Sequence, residues 1–368
     1  MKVALITGTR PQIIKSVPLI KELLKHDEIE LKFIHTGQHY DYNMFKGFIK
    51  EFELPQPFNI SKMDNNDYSF ATTVARLLRL WEIECERPDL IIVPGDTDSA
   101  FAAAYAASTC DIPLAHLESG VREYDMTMRE ERNRRMIDHI ASLLLVPTQT
   151  AWSNLVRENV LGKMLLCGDT NYDLFMQRGH IFLGEALTHL IAEQYGITEQ
   201  YGILTIHRAA NVDNWKQLYS ILRQIIKTGK RFIWPIHPRT KKIVTEYLTD
   251  VIKDSNIDLI DPVPYDIMMN LVSNASVVVT DSGGLQKESY FALTPCITLR
   301  DVTAWPETTE YDNANFLLGD DYIAEQMDIQ WGRDLFCPMD VFGDGGAAEK
   351  IVDYILKYSI EVPRKFHM

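Results

Sequence analysis

Four carboxylates lie near one another in the sequence, each beside a basic residue or at a predicted strand–helix junction. They are Asp96 in P-G-D-T-D-S, Glu118 in H-L-E-S-G-V-R, and Glu130 and Glu131 in M-R-E-E-R-N-R. Carboxylates at such positions can donate and accept protons in acid–base catalysis. Arg122 and Arg134 lie between and after them and could hold an anionic substrate. Because carboxylates repel anions, such a mixture needs a reason, and proton transfer next to a phosphorylated leaving group would be one.

Two further motifs have the residue types of an anion site. G-T-R-P at 8–11 follows the first predicted strand, with Arg10 at the strand end and Lys15 about one helical turn later. D-S-G-G at 281–284 follows an apolar strand and opens a helix. There Ser282 offers a hydroxyl, and Gly283 and Gly284 allow main-chain amides to approach a diphosphate.

Other polar residues are predicted at the same ends of the strands. His207 and His237 each end a predicted strand and each lie close to an arginine, which favours phosphate contact or proton donation. Arg300 ends another strand, and Glu288 is on the D-S-G-G helix, where it could accept hydrogen bonds from ribose hydroxyls. The histidines and carboxylates show no H-x-x-x-H or H-E-x-x-H spacing, so no metal and no other cofactor is expected.

Each of these features also has a purely structural interpretation. Glutamates in a first helical turn are favoured by the helix dipole, which would explain Glu130 and Glu131 without catalysis. Asp96 could simply be the N-cap of the helix over 100–107. The placement of the carboxylates at successive strand ends, with a phosphate motif in the second half of the chain, favours the functional interpretation.

The elements that would position these residues alternate between short apolar runs and segments with helical periodicity. Predicted strands are Val3–Thr7, Leu31–Thr36, Leu90–Val93, Pro113–Leu117, Leu143–Val146, Ile203–Ile206, Phe232–Ile236, Ile257–Ile260, Val277–Thr280 and Cys296–Leu299. The alternation predicts an α/β protein with two doubly wound, Rossmann-like domains facing a cleft. We expect them at 1–172 and 173–346, with a C-terminal helix in 347–368 packing back on the first.

The composition excludes several classes of partner. Among 368 residues, 46% are hydrophobic and 24% charged, as in a globular enzyme. The net charge of −14 argues against nucleic acid or an anionic membrane as a partner. The five scattered cysteines lack C-x-x-C spacing and indicate reduced thiols, so a cytoplasmic protein is expected. The apolar run near the N-terminus is too short for a signal sequence and is read as a buried strand.

Taken in order, the motifs resemble those of the non-hydrolysing UDP-N-acetylglucosamine 2-epimerase family, in the glycosyltransferase-B-like superfamily. The similarity covers G-T-R-P-Q-I-I-K, H-T-G-Q-H, G-D-T, H-L-E-S-G-V-R, E-E-R-N-R, H-R-A-A-N-V, H-P-R-T, T-D-S-G-G-L-Q-K-E and R-D-V-T. The resemblance implies an isomerase that needs no cofactor, binds a UDP-sugar and forms a homodimer. It would eliminate UDP to give a 2-acetamidoglucal and then add UDP back with C2 inverted.

The resemblance also implies roles for individual residues. The positions matching acidic groups that move the C2 proton are Asp96, Glu118 and Glu130. Those matching groups that hold UDP are Arg10, His237, Ser282, Gly283, Gly284 and Glu288. Lys15, Arg134 and His207 match supporting active-site positions.

The chain departs from the family pattern at several points. Arg129 replaces the usual proline before the glutamate pair, Ser119 replaces alanine in E-A-G, and A-W-P-E replaces E-R-P-E after R-D, with Trp305 in place of a cation. Tyr40-Asp41 stands where many bacterial members have a glutamine that contacts an activating second UDP-GlcNAc, so such activation is not expected.

Several functions remain open from the sequence. Trp305 and H-P-R-T also resemble members acting on UDP-2,3-diacetamido-2,3-dideoxy-glucuronic acid. A nucleotide-sugar glycosyltransferase would share the two-domain fold, a non-catalytic sensor would need the nucleotide motif alone, and a hydrolysing relative would release free ManNAc.

Overall fold

The structure is a computed structural model that describes residues 1–38, 42–63, 69–83, 86–318, 322–358 and 360–361. These residues form two compact units, the first made of Met1–Met176 together with Asp340–Met368 and the second of Gln177–Met339. The predicted boundaries follow residues 172 and 346, whereas these units divide after residues 176 and 339. None of the helices in the described ranges is long and apolar enough to cross a bilayer.

The first unit contains a seven-stranded parallel sheet in the order β3-β2-β1-β4-β5-β6-β7. Its strands are β1 (Lys2–Thr7), β2 (Glu30–His35), β3 (Phe58–Asn59), β4 (Leu90–Pro94), β5 (Leu114–Leu117), β6 (Leu143–Val146) and β7 (Lys163–Leu166). The central strands β1, β4, β5 and β6 are almost entirely buried apolar runs, as expected for a parallel sheet covered on both faces.

Helices connect these strands. They are α1 (Arg10–Leu23), α2 (Tyr42–Glu51), α3 (Phe70–Leu78), α4 (Asp98–Thr109), α5 (Arg129–Ile140) and α6 (Gln149–Glu158), with a 3₁₀ turn at Ile60–Met63 and a π turn at Arg79–Ile83. Helix α7 (Thr170–Phe182) begins in the first unit and ends in the second.

The second unit contains a six-stranded parallel sheet in the order β10-β9-β8-β11-β12-β13. Its strands are β8 (Gly202–Thr205), β9 (Phe232–Pro235), β10 (Ile257–Ile260), β11 (Val277–Thr280), β12 (Cys296–Thr298) and β13 (Asn315–Leu317). The helices are α8 (Glu185–Gln194), α9 (Ala209–Val212), α10 (Trp215–Lys227), α11 (Pro238–Ile243), α12 (Thr249–Lys253), α13 (Tyr265–Ser273), α14 (Gly283–Phe291), α15 (Glu307–Glu310) and α16 (Ile323–Gln330), with a π turn at Val244–Leu248.

The chain then returns to the first unit through a 3₁₀ turn at Asp340–Phe342 and helix α17 (Ala347–Lys357), which packs against α1. The predicted α/β class with two doubly wound, parallel-sheet domains is confirmed. Ten strands were predicted within a residue or two of their observed ends. β3, β7 and β13 were not, because they span two to four residues or, in β7, lack a buried apolar run.

Of the cysteines that the structure describes, Cys110, Cys167, Cys296 and Cys337 are free thiols. Cys85 lies outside the described residues. Burial raises the pKa of Cys110 to about 11 and that of Cys296 to about 12, so both are held as inert thiols.

Candidate active site

Three neighbouring strands of the first sheet bring the predicted residues to one edge. β1 lies beside β4, and β4 lies beside β5. Because all three run parallel, their carboxyl ends meet at the same edge, where ligands bind in folds of this kind. Arg10 follows β1, Asp96 follows β4 and Glu118 follows β5.

The turn after β1 is held in place by close packing and by hydrogen bonds to the end of β4. Gly8 has no room for a side chain, because a Cβ there would overlap the hydroxyl of Ser99. The carboxamide oxygen of Gln12 accepts the Gly8 N–H at 2.8 Å, and its nitrogen donates to the carbonyl oxygen of Pro94 at 2.7 Å. These bonds fix the start of α1, and therefore Arg10, relative to the end of β4.

Glu118 lies in a strained turn. Its φ is 73°, in the left-handed region that costs a non-glycine residue about 1 kcal/mol or more. Its N–H donates to the carbonyl oxygen of Leu145 at 3.1 Å, which holds the turn against β6. The Glu118 carboxylate pairs with the Lys15 ammonium, and both side chains are largely buried. Gly95 also has a positive φ, 68°, and a Cβ there would meet the Lys15 ammonium.

Asp96 pairs with Arg134 from α5. Burial opposes the charge on Arg134, but Asp96 and neighbouring carboxylates raise its pKa, so it stays a guanidinium. Its Nε and Nη1 atoms are buried and form no hydrogen bond with any residue in the described ranges. Thr97, not Asp96, is the N-cap of α4, because its hydroxyl accepts the Ala100 N–H. The alternative of Asp96 as the helix cap is therefore wrong.

The glutamate pair divides into two different environments. Glu131 is fully buried, and its carboxylate accepts the N–H of Glu123 at 2.9 Å and the Nε–H of Arg135 at 2.9 Å, which makes it structural. Glu130 is exposed in the first turn of α5, and no hydrogen-bond or ion-pair partner reaches it from the described residues. The structure does not join Glu130 to the cluster of Asp96, Arg134 and Glu131.

Arg122, which the sequence suggested as a group that could hold an anionic substrate, is not accessible to one. Its side chain is fully buried and pairs with Asp138 at 2.7 Å and with both carboxylate oxygens of Glu158, the closer at 2.6 Å. The idea that Arg122 holds an anionic substrate is wrong for this reason. No local sequence pattern indicated these partners, which lie on α5 and α6.

In the second unit, the D-S-G-G motif opens α14 as predicted. Ser282 is the N-cap, with its hydroxyl accepting the Leu285 N–H at 3.4 Å, and its proton remains able to donate outward. Gly284 is exposed and Gly283 is half-buried. A Cβ on Gly283 would lie 3.6 Å from Nη1 of Arg300, so this guanidinium lies beside the helix N-terminus. The arrangement offers amides, a hydroxyl and a cation to one anion.

His207, after β8, is tied to Asp281, after the adjacent strand β11. Asp281 is fully buried and accepts the backbone N–H groups of His207 at 3.0 Å and Arg208 at 2.8 Å. Nδ1 of His207 lies 3.2 Å from the same carboxylate, so the ring is oriented by a buried acid.

His237 follows β9 and caps α11. Its Nδ1 accepts the Arg239 N–H at 3.2 Å, which leaves Nε2 as the donor edge of a neutral ring. The His207 and His237 rings lie 5.9 Å apart between centroids. The structure thus brings together two histidines that are 30 residues apart in the sequence.

Glu288 lies half-buried on α14, next to Lys287. Lys287 is buried, and its ammonium lies 3.7 Å from the centroid of the Trp305 ring. Trp305 occupies the position where the family commonly has a cationic side chain. Its ring lies against the ammonium of Lys287, which α14 supplies.

His39, Tyr40 and Asp41, on which the predicted absence of an activator site depends, lie outside the described residues. Gln38 is described, and its side-chain oxygen accepts the N–H and the hydroxyl of Ser99.

A family model described as UDP-N-acetylglucosamine 2-epimerase matches residues 21–356. The chain belongs to this family. It is 38% identical over 365 residues to the UDP-N-acetylglucosamine 2-epimerase of Methanocaldococcus jannaschii, covering 96% of this chain and 98% of that protein. It is 34% identical over 369 residues to the UDP-2,3-diacetamido-2,3-dideoxy-D-glucuronate 2-epimerase of Pseudomonas aeruginosa, covering 97% of this chain and 100% of that protein.

Solved structures of family members agree with this membership. The M. jannaschii UDP-GlcNAc 2-epimerase in complex with UDP-GlcNAc and UDP matches with a TM-score of 0.87 and 37% identity, covering 97% of this chain and 100% of that chain. The Neisseria meningitidis enzyme bound to UDP-GlcNAc matches with a TM-score of 0.86 and 27% identity, with the same coverage. The resemblance to the epimerase family and the isomerase class are thereby confirmed.

For this epimerase-family chain, sequence reasoning named the residues at the strand ends but missed the buried groups that hold them. Asp281 was visible as the first letter of D-S-G-G, yet nothing showed that it would orient His207. His116 stands in the H-L-E-S-G-V-R motif, but its partner Asp138 lies 22 residues away on α5. A histidine inside an apolar strand, two residues before a strand-end glutamate, is the signal that could have directed attention there.

Proposed function

We propose that this chain is a non-hydrolysing UDP-N-acetylglucosamine 2-epimerase that interconverts UDP-GlcNAc and UDP-ManNAc. The observation that carries the proposal is the pairing of two carboxylates, Asp96 and Glu118, with the cations Arg134 and Lys15 at one sheet edge. The names of the M. jannaschii and N. meningitidis relatives support the choice of substrate.

In the proposed reaction, a carboxylate removes the C2 proton as the C1–oxygen bond breaks, and UDP leaves with the bonding electrons. The 2-acetamidoglucal then accepts a proton at C2 from the opposite face while UDP re-forms the bond at C1. No water is consumed. Because the C2 hydrogen is not acidified by a carbonyl, stabilisation of the departing diphosphate is essential.

We assign roles on this basis. Asp96, Glu118 and Glu130 are the proposed proton-transfer groups, and His207, held by Asp281, is a candidate donor near the diphosphate. The proposed groups that bind UDP are Arg10, His237, Ser282, Gly283, Gly284, Glu288 and Arg300, with Lys15 and Arg134 holding carboxylates and substrate. We also propose that the enzyme works as a homodimer, as the family resemblance implies.

A second candidate substrate is UDP-2,3-diacetamido-2,3-dideoxy-glucuronic acid. It is favoured by the 34% identity to the P. aeruginosa enzyme named for this sugar, and by Trp305 over Lys287 where the family commonly has an arginine. The chemistry at C1 and C2 would be the same, so only the sugar contacts distinguish the two.

The decisive experiment is incubation with UDP-GlcNAc in D2O, with products followed by proton NMR. We expect UDP-ManNAc carrying deuterium at C2. Free ManNAc with UDP would indicate a hydrolysing enzyme, and a C2 proton that stays unexchanged over many enzyme equivalents would reject the proposal. A parallel reaction with the diacetamido-uronic acid nucleotide decides between the two substrates.

Substitution of Asp96 separates catalysis from binding. Asp96→Asn should lower kcat by at least about 100-fold because it removes a proton acceptor, while UDP affinity measured by calorimetry stays within about twofold. Asp98→Asn is the matched control two residues away, at the start of α4. Asp98 pairs with exposed Arg129 and also accepts a hydrogen bond from Asn133, which an asparagine oxygen can still accept, so turnover should stay nearly unchanged. Lost UDP affinity in Asp96→Asn would instead assign Asp96 to binding.

A further inference from the structure

A buried ionic pair lies directly behind the proposed proton-transfer groups. His116 is in β5, two residues before Glu118, and Asp138 is in α5. Both side chains are fully buried, so neither can touch a substrate. Burying such groups is costly unless they are paired and hydrogen-bonded, and a buried pair adds little net stability.

The hydrogen bonds define where the protons are. Nε2 of His116 lies 2.9 Å from the carbonyl oxygen of Gly95, which can only accept, so Nε2 carries a proton. Nδ1 lies 2.6 Å from Oδ1 of Asp138. The other carboxylate oxygen, Oδ2, accepts the Gly120 N–H at 3.1 Å and lies 2.7 Å from Arg122.

Asp138 is ionised in this arrangement. Burial raises its pKa, but His116 and Arg122 outweigh that effect and bring the pKa below its usual value. A carboxylate at 2.6 Å requires a proton on Nδ1 as well. A proton therefore lies between Nδ1 of His116 and Oδ1 of Asp138, in addition to the one on Nε2.

Asp138 belongs to a chain of ion pairs. Arg122 lies between Asp138 and Glu158. Glu158 also lies 3.2 Å from Arg135 and 3.8 Å from His139 at the outer side of the network. Arg135 in turn pairs with Glu131, so the network continues along α5 and each of its buried carboxylates is opposed by an arginine.

The network is bonded to both loops that carry acids. The His116 ring holds the carbonyl of Gly95, the residue before Asp96. Asp138 holds the N–H of Gly120, two residues after Glu118, and the hydroxyl of Ser119 donates to the His116 carbonyl at 2.6 Å. One ion pair thus connects the turn of Asp96 with the strained turn of Glu118.

We propose that His116 and Asp138 are positioning residues, which fix the backbone of Asp96 and Glu118 in the geometry needed for proton transfer at the sugar. This inference rests on the proposed epimerase function for its kinetic consequences. The hydrogen bonds of His116 do not depend on that function.

Two substitutions at His116 separate the two hydrogen bonds. In His116→Gln the side-chain amide takes the place of Nε2, so this variant keeps the bond to Gly95 and loses the bond to Asp138. In His116→Asn the side-chain amide takes the place of Nδ1, so this variant keeps the bond to Asp138 and loses the bond to Gly95. Because misplacement by about 1 Å can cost 10²-fold, we expect His116→Asn to lower kcat about 100-fold and His116→Gln about tenfold. KM and UDP affinity should stay within about twofold of wild type for both.

A deuterium isotope effect distinguishes positioning from simple loss of folded enzyme. With substrate deuterated at C2, the effect on kcat should increase in His116→Asn, because proton transfer becomes slower relative to the other steps. A purely structural role would lower the amount of active enzyme and leave the isotope effect unchanged. If the isotope effect is the same in wild type and in both variants, and activity falls only in proportion to the folded fraction, the proposal is overturned.

Nitrogen NMR of the full chain tests the hydrogen bonds without turnover. Both ring nitrogens of His116 in wild type should show hydrogen-bonded protons in slow exchange with solvent, and Asp138→Asn should weaken the bond at Nδ1 while leaving the one at Nε2. A wild-type ring that lacks either bond would overturn the inference even in an active epimerase. An inactive wild type with both bonds present would instead reject the proposed function and leave the hydrogen-bonded pair assigned.

Discussion

Glu118 combines a proposed chemical role with an unfavourable backbone conformation. Its left-handed φ of 73° follows β5 directly and is held by main-chain bonds to Leu145 and by the network around Asp138. The carboxylate is directed toward Lys15 as a result. Strain of this kind persists only where the surroundings impose it, and it is concentrated at functional sites.

The strain can be measured by comparing two substitutions at this residue. Glu118→Gly and Glu118→Ala both remove the carboxylate and should both abolish epimerisation. Glycine tolerates positive φ, so Glu118→Gly should be more stable than Glu118→Ala by about 1 kcal/mol. Denaturant unfolding measures the difference. Equal stability of the two variants would show that the turn relaxes once the carboxylate is lost.

At the scale of single residues, the sequence predicted which polar residues follow the strands. It did not predict the buried partners that orient their side chains. Asp96, Glu118 and His207 were identifiable because polar residues follow apolar runs. Arg122 was misjudged, because its partners Asp138 and Glu158 come from α5 and α6 and no local pattern encodes such contacts.

At the level of elements, the parallel order of strands does most of the positioning. β1, β4 and β5 are consecutive in the sheet, so residues near 10, 96 and 118 meet although they are far apart in the chain. Long buried runs made these strands predictable. The two-residue β3 and the partly exposed edge strand β7 depend on pairing with neighbours, which periodicity does not reveal.

The contact between α7 and α17 is a second feature of this scale. Asp173 in α7 accepts the first N–H groups of α17, from Ala347 at 3.0 Å and Ala348 at 2.7 Å. Burial raises the pKa of Asp173 from 3.8 to about 6, although these two bonds oppose the shift. The carboxylate therefore caps the helix while remaining costly to ionise.

This shift predicts a pH dependence of stability. Because the folded pKa exceeds the unfolded one, the stability contributed by Asp173 is present below about pH 4 and lost as the pH rises through about 6. Relative to Asp173→Asn, wild type should lose up to about 3 kcal/mol of unfolding free energy between pH 4 and 7. Urea unfolding of both proteins across this range provides the measurement, and parallel pH profiles would contradict it.

On the scale of the whole molecule, the second unit is an insertion into the first. The first unit consists of Met1–Met176 and Asp340–Met368, and its two segments meet where Asp169 donates its N–H to the carbonyl oxygen of Phe342 at 2.9 Å. α17 completes the cover of α1 with the buried side chains Ile351, Val352 and Ile355.

This connectivity predicts how fragments behave. Residues 177–339 should fold alone with a cooperative thermal transition, because they form a continuous compact unit. Residues 1–176 should not, since they lack α17, and fusing 340–368 to residue 176 through a short linker should restore a cooperative transition. Circular dichroism melts compare the three chains. A fragment 1–176 that melts like the fusion would show that α17 is dispensable.

The insertion also has a consequence for synthesis on the ribosome. Domains usually fold in the order in which they emerge. Here the first unit is completed only after the second, because α17 leaves the ribosome after the entire second unit. During that interval the surface of α1 that α17 will cover stays open to solvent and to other chains. The newly made chain thus depends on α17 to cover α1, a helix that was made before the whole of the second unit.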